Sequence, residues 1–195
     1  FHAAASRQQC ELKTSVALTD SAGRQLLRDD WMQTVQVSSA AEIAGNFFPT
    51  QFDLPLAPGS YQLALTVTET QTNRTGTAIL PFQVSRFDRM ELLLSELQFS
   101  SSISTDTASA RFSKNDLSIT PYASRLYGGG LPLLYFYFEI YNLAAADSYE
   151  VHYSIHNGRQ EVVRRLPSKI ARQPGNSSVE VGGINISNLP EPSYQ

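Results

Sequence analysis

The chain has 195 residues, of which 42% are hydrophobic and 17% are charged, a balance typical of a globular protein with a buried core. The formal net charge is -3 at pH 7 and the Lys and Arg residues are scattered, so the sequence offers no basic surface for nucleic acid. The longest apolar run, 131–143, contains Glu139 and Asn142 and is too short for a membrane span. With Cys10 as its one cysteine, the chain is predicted to have neither an internal disulfide nor a cysteine-rich metal site.

Alternating apolar residues predict antiparallel strands in the first part of the chain. One run begins at Cys10 and ends at a short hairpin loop, 19–24, whose Asp, Ser and Gly residues suit turn positions. A returning strand is predicted over 25–37, with a bulge where Asp29 and Asp30 interrupt the apolar face.

Two further strands are predicted before the middle of the chain. Pro and Gly in 57–60 indicate a turn, after which an alternating run begins at Tyr61 and another ends at Val84. Short strands at this spacing, without a convincing helix, predict an immunoglobulin-like antiparallel β-sandwich. We place a domain boundary after Arg86, which gives a first β-sandwich domain over 1–86.

The second predicted β-sandwich domain, 87–195, is organised around the apolar and aromatic run 131–143. By strand period, its side chains divide into an aliphatic and phenyl face and a tyrosine-rich face. The tyrosine-rich face consists of Tyr135, Tyr137, Glu139 and Tyr141. The first face suits a sandwich core, whereas the second is expected to be covered by another element or to bind a ligand.

Glycines mark two further features of the second domain. Asn157-Gly158 stands between alternating runs and predicts a hairpin with a two-residue type I′ turn. Gly182 and Gly183 interrupt a later strand and predict a bulge.

Two short strings recur at nearly the same separation. Gly-Arg-Gln occurs at 23–25 and at 158–160, and the string at 56–62 resembles the string at 189–195. These matches indicate two related domains in tandem. In the first copy two strands follow the second string, so we expect the second domain to be truncated here and the parent protein to continue. The alternatives are a different closure of the second domain and a strand supplied by a partner.

Four stretches of the second domain resemble the region that precedes the signature domain in bacterial GWxTD-domain proteins, a family without a characterised activity. They are 92–97, 112–117, 121–128 and 134–143, and the likeness covers mainly residues 90–160. The resemblance implies an exported protein with β-sandwich modules ahead of a C-terminal domain, and it implies no activity. The Gly-Trp-x-Thr-Asp signature itself is absent, since the one tryptophan, Trp31, lies in Asp-Trp-Met.

The candidate chemical groups are few. The histidines His2, His152 and His156 do not have the spacing of a shared metal site, so no metal and no cofactor are predicted. Glu139 is expected to form an ion pair, with His152 across a hairpin as the candidate partner, because no nucleophile or second carboxylate converges on it. No catalytic residue is predicted.

The sequence therefore favours a non-catalytic interaction or spacer region of an exported bacterial protein, in the periplasm, at the cell surface or secreted. Its expected partner is another protein or a downstream domain of the same polypeptide. The alternative is a carbohydrate-binding module, in which Tyr135, Tyr137 and Tyr141 stack on sugar rings beside Glu139.

Overall fold

A computed structural model describes most of the chain, namely residues 8–37, 49–88, 90–107, 112–122, 127, 131–143, 148–172 and 175–189. The chain divides into two compact units, Phe1–Arg86 and Phe87–Gln195. The regular elements of the described residues are β-strands, and their pairings are antiparallel. The prediction of an all-β antiparallel protein is therefore confirmed, whereas the immunoglobulin-like tandem stays a prediction.

The described residues of the first unit form one four-stranded sheet. Its strands are β1 Gln8–Asp20, β2 Gln25–Val37, β3 Gly59–Glu69 and β4 Arg74–Val84. They lie in the order β2-β1-β3-β4, so β1 has a partner on each side.

One face of this sheet is apolar, as the alternation of the sequence predicts. Val16 and Leu18 of β1 are buried on this face, each with 1% of its surface exposed. Trp31 of β2 and Phe52 are in contact with ring centroids 5.8 Å apart. The segment before β3 therefore packs against the apolar face.

A tyrosine corner fixes the entry into β3. The Tyr61 hydroxyl donates a hydrogen bond to the carbonyl oxygen of Ala57 at 2.7 Å, and the Tyr61 ring stacks on Phe82 of β4. A Cβ added at Gly59 would be 3.4 Å from the same hydroxyl, so the ring lies over the glycine. This corner is typical of β-sandwich domains.

The predicted bulge at the two aspartates of β2 is wrong. Asp29 and Asp30 pair with β1 in regular register, whereas the register shifts between Leu18 and Thr19, beside the hairpin loop. Asp30 lies opposite Ser15, on the face away from Val16, and forms an exposed ion pair with Lys13 at 3.5 Å. Its carboxylate therefore does not interrupt the apolar face.

The second unit contains ten strands among its described residues. They are β5 Leu93–Leu94, β6 Gln98–Ser104, β7 Ser113–Lys114, β8 Leu117–Pro121, β9 Leu133–Tyr141, β10 Ser148–Val151, β11 Ser154–His156, β12 Val162–Arg165, β13 Lys169–Arg172 and β14 Ser177–Asn185. The largest sheet has the order β14-β9-β6-β8-β7, and β5 also pairs with β9. The run singled out in the sequence is therefore central in the sheet.

A hairpin packs against the core face of β9. Its first arm, 148–156, contains β10 and β11, and its second arm, 162–172, contains β12 and β13. Phe136, Phe138 and Ile140 of β9 are buried, and tyrosine and valine side chains of the first arm pack against them. The core therefore lies between two layers, with the tyrosine-rich face of β9 on the opposite side of the sheet.

The turn of this hairpin differs from the predicted two-residue type I′ turn. Asn157 donates its amide to the Glu161 carbonyl at 3.0 Å and accepts at its own carbonyl from the amide of Gln160 at 2.9 Å. Gln160, rather than Gly158, has a positive φ, of 65°. The loop therefore has three residues, as in a type I turn with a bulge. The side chain of Asn157 selects it, because its Oδ1 accepts from the amides of Arg159 and Glu161.

The predicted bulge at Gly182 and Gly183 is also wrong. Strand β14 pairs with β9 in continuous register through both glycines. Each glycine instead accommodates an aromatic ring from β9, Phe136 at Gly182 and Tyr135 at Gly183.

Candidate functional site

The predicted site residues share one face of β9, on which Tyr137 is the most buried side chain. Tyr137 is 1% exposed, whereas Tyr135 and Tyr141 are half-buried. The side chain of Glu139 between them is 14% exposed. The structure therefore brings the four residues together, but it closes the centre of the face to solvent.

A tight turn between β7 and β8 covers this face. Asn115 and Asp116 both have positive φ angles, 47° and 60°, which is the geometry of a two-residue hairpin turn. The turn places Asn115 Nδ2 2.5 Å from the Tyr137 hydroxyl, to which it donates a hydrogen bond. It also places Lys114 Nζ 2.8 Å from Glu139 Oε1 and 4.8 Å from the centroid of the Tyr137 ring.

Glu139 is the centre of this hydrogen-bonded group. Tyr137 donates to Glu139 Oε1 and Tyr141 donates to Oε2. Burial by itself raises the pKa of Glu139, but hydrogen bonds from Lys114 and the two tyrosines outweigh it and leave the pKa below its ordinary value. The carboxylate is therefore ionised near neutral pH, with its oxygens already engaged within the unit.

The same contacts raise the pKa values of Tyr137 and Tyr141. Burial, followed by the hydrogen bond to Glu139 and its negative charge, raises the pKa of Tyr141 to about 12. The pKa of Tyr137 is raised for the same reasons. Both hydroxyls are therefore protonated donors over the physiological range, and neither is suited to act as a base.

The beginning of the second unit covers the far end of the face. The rings of Phe87 and Tyr141 are in contact, with centroids 4.7 Å apart. Asn142 has a positive φ of 64°, and its side-chain amide donates to the carbonyl of Glu91 at 2.8 Å. These contacts hold the segment before β5 against the end of β9.

The ion pair expected at Glu139 exists, but with a different partner from the histidine considered in the sequence. Glu139 pairs with Lys114, whereas His152 lies 3.5 Å from Glu150 on an exposed part of the hairpin. The cause is the pairing of the strands, since β9 has β14, β5 and β6 as neighbours and does not pair with the hairpin.

The structure contains a second carboxylate cluster, which sequence analysis missed. Glu180 of β14 is 1% exposed and faces the core between the two layers. Lys169 Nζ lies 2.7 Å from its Oε2, and the Tyr149 and Tyr153 hydroxyls donate to its two oxygens. Tyr149 also lies 2.7 Å from the hydroxyl of Ser178.

The local sequence does not indicate that Glu180 is buried. Val179-Glu180-Val181 suggests that the valines face the core, but Val181 is 37% exposed and Glu180 is buried. Tyr149 and Tyr153 lie on the inward face of the hairpin arm that packs over this sheet. Their hydroxyls were the signal in the sequence that a polar partner lies in the core. Burial and then the Glu180 charge raise the pKa of Tyr153 to about 12, and burial raises the pKa of Tyr149.

The described residues also include an exposed apolar segment around β5. Its most exposed side chain is Met90, at 101%, and Leu92, Leu94 and Leu97 are 62%, 59% and 47% exposed. Single exposed apolar residues are common in soluble proteins, whereas these four fall within one short segment.

Within the ranges that the structure describes, no group of three or more His, Cys, Asp or Glu side chains could hold a metal ion. In those ranges there is also no helix long and apolar enough to cross a membrane.

Comparisons of the sequence with protein-family models and with curated proteins give no match.

Proposed function

We propose that this chain is a non-catalytic interaction or spacer region of an exported bacterial protein, built from immunoglobulin-like β-sandwich modules. Its partner is another protein or a downstream domain of the same polypeptide. The resemblance of residues 90–160 to the β modules of GWxTD-domain proteins supports this assignment and the location in the periplasm, at the cell surface or outside the cell.

The observation that carries the proposal is the exposed apolar segment Met90–Leu97. Its leucines are available to bury against a partner, and burying apolar surface contributes about 25 cal/mol per Å² removed from water. The two buried or half-buried carboxylates of the second unit are not available to a partner in this way. Glu139 and Glu180 are each bound by two tyrosines and a lysine of the same unit. Such groups stabilise a fold and do not present themselves to a substrate.

The alternative, a carbohydrate-binding face, has less support. Stacking on a sugar needs an exposed ring face, and Tyr137 at the centre of the face is 1% exposed beneath Lys114. The two remaining rings, Tyr135 and Tyr141, lie on either side of the covered centre, so they do not form one continuous stacking surface.

Site-specific photo-crosslinking in the bacterium that makes the chain tests the proposal. A photoreactive residue is introduced at Leu94, with Ile79 as the matched control, since both side chains are 59% exposed. We expect a discrete protein adduct from position 94 and none from position 79. Equal labelling at the two positions, or adducts with glycan from position 94, would contradict the proposal.

A further inference from the structure

Ser154 and His156 form a hydrogen-bonded pair on the outer face of the hairpin arm 148–156. Ser154 Oγ lies 2.8 Å from His156 Nε2, and Nδ1 of the same ring lies 3.1 Å from the backbone carbonyl oxygen of Gln160. Ser154 is exposed and His156 is half-buried, whereas Ile155 between them is buried in the core. A hydroxyl that is hydrogen-bonded to a base, with a third group orienting that base, is the arrangement of an activated nucleophile.

The Gln160 carbonyl determines which nitrogen of the neutral ring carries the proton. A carbonyl oxygen can only accept a hydrogen bond, so Nδ1 of His156 donates to it and the lone pair of the neutral ring is on Nε2. Nε2 therefore accepts a hydrogen bond from the Ser154 hydroxyl. This is the direction in which a general base removes a proton from a serine.

The first hairpin shows that the loop itself does not require such a pair. Asp20 and Asn157 begin equivalent three-residue loops, because each donates its amide to the carbonyl four residues later at 3.0 Å. In both loops the side-chain Oδ1 accepts from the amides two and four residues later. On this alignment the first hairpin has Ala17 and Thr19 at the positions of the serine and the histidine. The same loop therefore forms without an imidazole beside a serine.

Arg165 on the second arm lies beside the Ser154 side chain. Leu166 donates its amide to the Tyr153 carbonyl at 3.0 Å, so the adjacent pair, Ser154 with Arg165, is a non-hydrogen-bonded pair of the antiparallel ladder. Side chains of such a pair leave the sheet on the same face, with Cβ atoms about 4.5–5.5 Å apart. The exposed guanidinium can therefore reach an oxygen that becomes negative above Ser154.

We propose that Ser154 is a nucleophile that accepts an acyl group from an activated ester, with His156 as its general base. Ser154 Oγ attacks the carbonyl carbon of the ester while its proton passes to His156 Nε2. The oxygen of the tetrahedral intermediate carries the negative charge, which Arg165 stabilises. The intermediate expels the alcohol oxygen, which takes the proton from His156, so the products are the Ser154 ester and the free alcohol.

The donor in this step is an ester whose leaving alcohol is weakly basic, and the chain is the acceptor. The proposal thus goes beyond the interaction function and does not make the chain an enzyme, since one acyl group remains attached to one serine. It assigns a covalent modification site to the exposed face of the hairpin.

Acetylation of the full chain by 4-nitrophenyl acetate tests the nucleophile, and mass spectrometry with peptide fragmentation locates each acetyl group. Ser148 is the internal control. It is exposed on the same arm and lies opposite Arg172, but Glu150 stands two residues later in place of a histidine. We expect Ser154 to be acetylated at least about a hundredfold faster than Ser148, the order of magnitude that a general base supplies.

A matched pair of histidine variants identifies the base. His156→Gln removes the base, whereas His152→Gln changes the exposed histidine on the other side of Ser154, which lies 3.5 Å from Glu150. We expect His156→Gln to slow the acetylation of Ser154 about a hundredfold and His152→Gln to leave it unchanged.

A matched pair of arginine variants tests the stabilisation of the negative oxygen. Arg165→Gln should slow the acetylation of Ser154 at least about tenfold, because it removes the positive charge beside the intermediate. Arg172→Gln, on the same arm but opposite Ser148, should leave it unchanged.

The unaltered chain gives a result that does not depend on the folding of a variant. In denaturant Ser154 and Ser148 should react equally, because the hydrogen bonds that orient His156 are lost. Equal acetylation of the two serines in the folded chain would overturn the proposal. Equal rates for His156→Gln and His152→Gln would also overturn it, because the imidazole of His156 would then not be the base.

Discussion

Gly182 of β14 lies directly opposite Phe136 of β9, and the Phe136 ring occupies the space that a side chain at 182 would need. A Cβ at this position would be 2.3 Å from Phe136 Cζ and 2.7 Å from Cε1. The ring is buried and stacks on Phe138 with centroids 6.3 Å apart, so it cannot turn aside without disturbing the core. Gly182 is thus part of the packing between the two layers.

Gly182→Ala is expected to destabilise the second unit by about 1–3 kcal/mol, the usual range for overpacking. Gly76→Ala is the matched control, because Gly76 also lies in a strand but has no atom within 4 Å of the added Cβ. Its effect should stay within about 0.5 kcal/mol of zero. Urea unfolding of both variants measures the difference. Equal stabilities would show that the Phe136 ring is not fixed where the structure has it.

Glu180→Ala is expected to destabilise the protein by about 1–3 kcal/mol, because it removes the carboxylate acceptor of two half-buried tyrosine hydroxyls and the partner of Lys169. Glu180→Gln keeps an acceptor oxygen and loses the ion pair with Lys169, so its effect should be smaller. Glu150→Ala is the exposed control and should be near neutral. Denaturant unfolding would contradict the assignment if Glu180→Ala and Glu150→Ala were equally stable.

Stability should fall at alkaline pH as the tyrosines around the two glutamates ionise. The pKa of Tyr153 and of Tyr141 is raised from 10.0 to about 12 in the folded chain by burial and by the adjacent carboxylates. A raised folded-state pKa contributes stability that is fully present below pH 10 and is lost as the pH rises through about 12.

Tyrosinate absorbance and unfolding free energy, followed together through the alkaline range, test this window. In the folded chain a set of tyrosines should titrate above pH 10, and in denaturant the same tyrosines should titrate with the ordinary tyrosine pKa. Glu180→Gln should lower the pKa of Tyr153, whereas Glu150→Gln should not. Titration of all tyrosines together near pH 10 in the folded chain would refute the two clusters.

Asn157→Asp should destabilise the second hairpin by about 1 kcal/mol, whereas Asp20→Asn should have a smaller effect. Asn157 is 5% exposed and donates its side-chain amide to Glu161 Oε2, so an aspartate would bring two carboxylates together. Asp20 faces Arg24 instead, and its loop is exposed. Urea unfolding at neutral pH measures both variants, and the Asn157→Asp deficit should shrink at acidic pH. A deficit that is unchanged by pH would contradict this charge-based explanation.

Local patterns predicted the strands well, because alternation reports which face of a strand is buried. The bounds of β2 agree with the predicted strand over 25–37, and the central position of β9 follows from its two-sided apolar and aromatic composition. Where the local sequence fitted more than one turn type, side-chain hydrogen bonds determined which turn forms. Asn157-Gly158 fits a type I′ turn by its dipeptide, but the hydrogen bonds of the Asn157 side chain favour a longer loop.

The recurring strings predict two related domains, but the two hairpin loops do not align on those strings. Gly-Arg-Gln at 23–25 and 158–160 recurs, yet the equivalent loops place Gly23, with φ 77°, at the position of Gln160, with φ 65°. The shared feature is the left-handed third residue of the loop, which two different residue types supply. The counterpart of the string at 56–62 extends beyond the described residues, so that second match stays a prediction.

The candidate site required knowledge of pairings between distant segments. The tyrosine-rich face was identified from β9 alone, but its cover comes from Lys114 and Asn115, whose turn reaches Tyr137 and Glu139 through the packing of β7 and β8. No local spacing connects these segments. The same is true of Glu180, whose partners lie on the hairpin of the opposite layer.

Affinity electrophoresis of the intact chain in gels with soluble polysaccharides most directly tests the claim that the tyrosine-rich face is a closed structural cluster in an interaction module. The account predicts the same mobility with and without each polysaccharide, for the unaltered chain and for Tyr135→Ala. Retardation of the unaltered chain by a glycan, relieved by Tyr135→Ala while the variant remains folded, would contradict it and establish carbohydrate binding at this face.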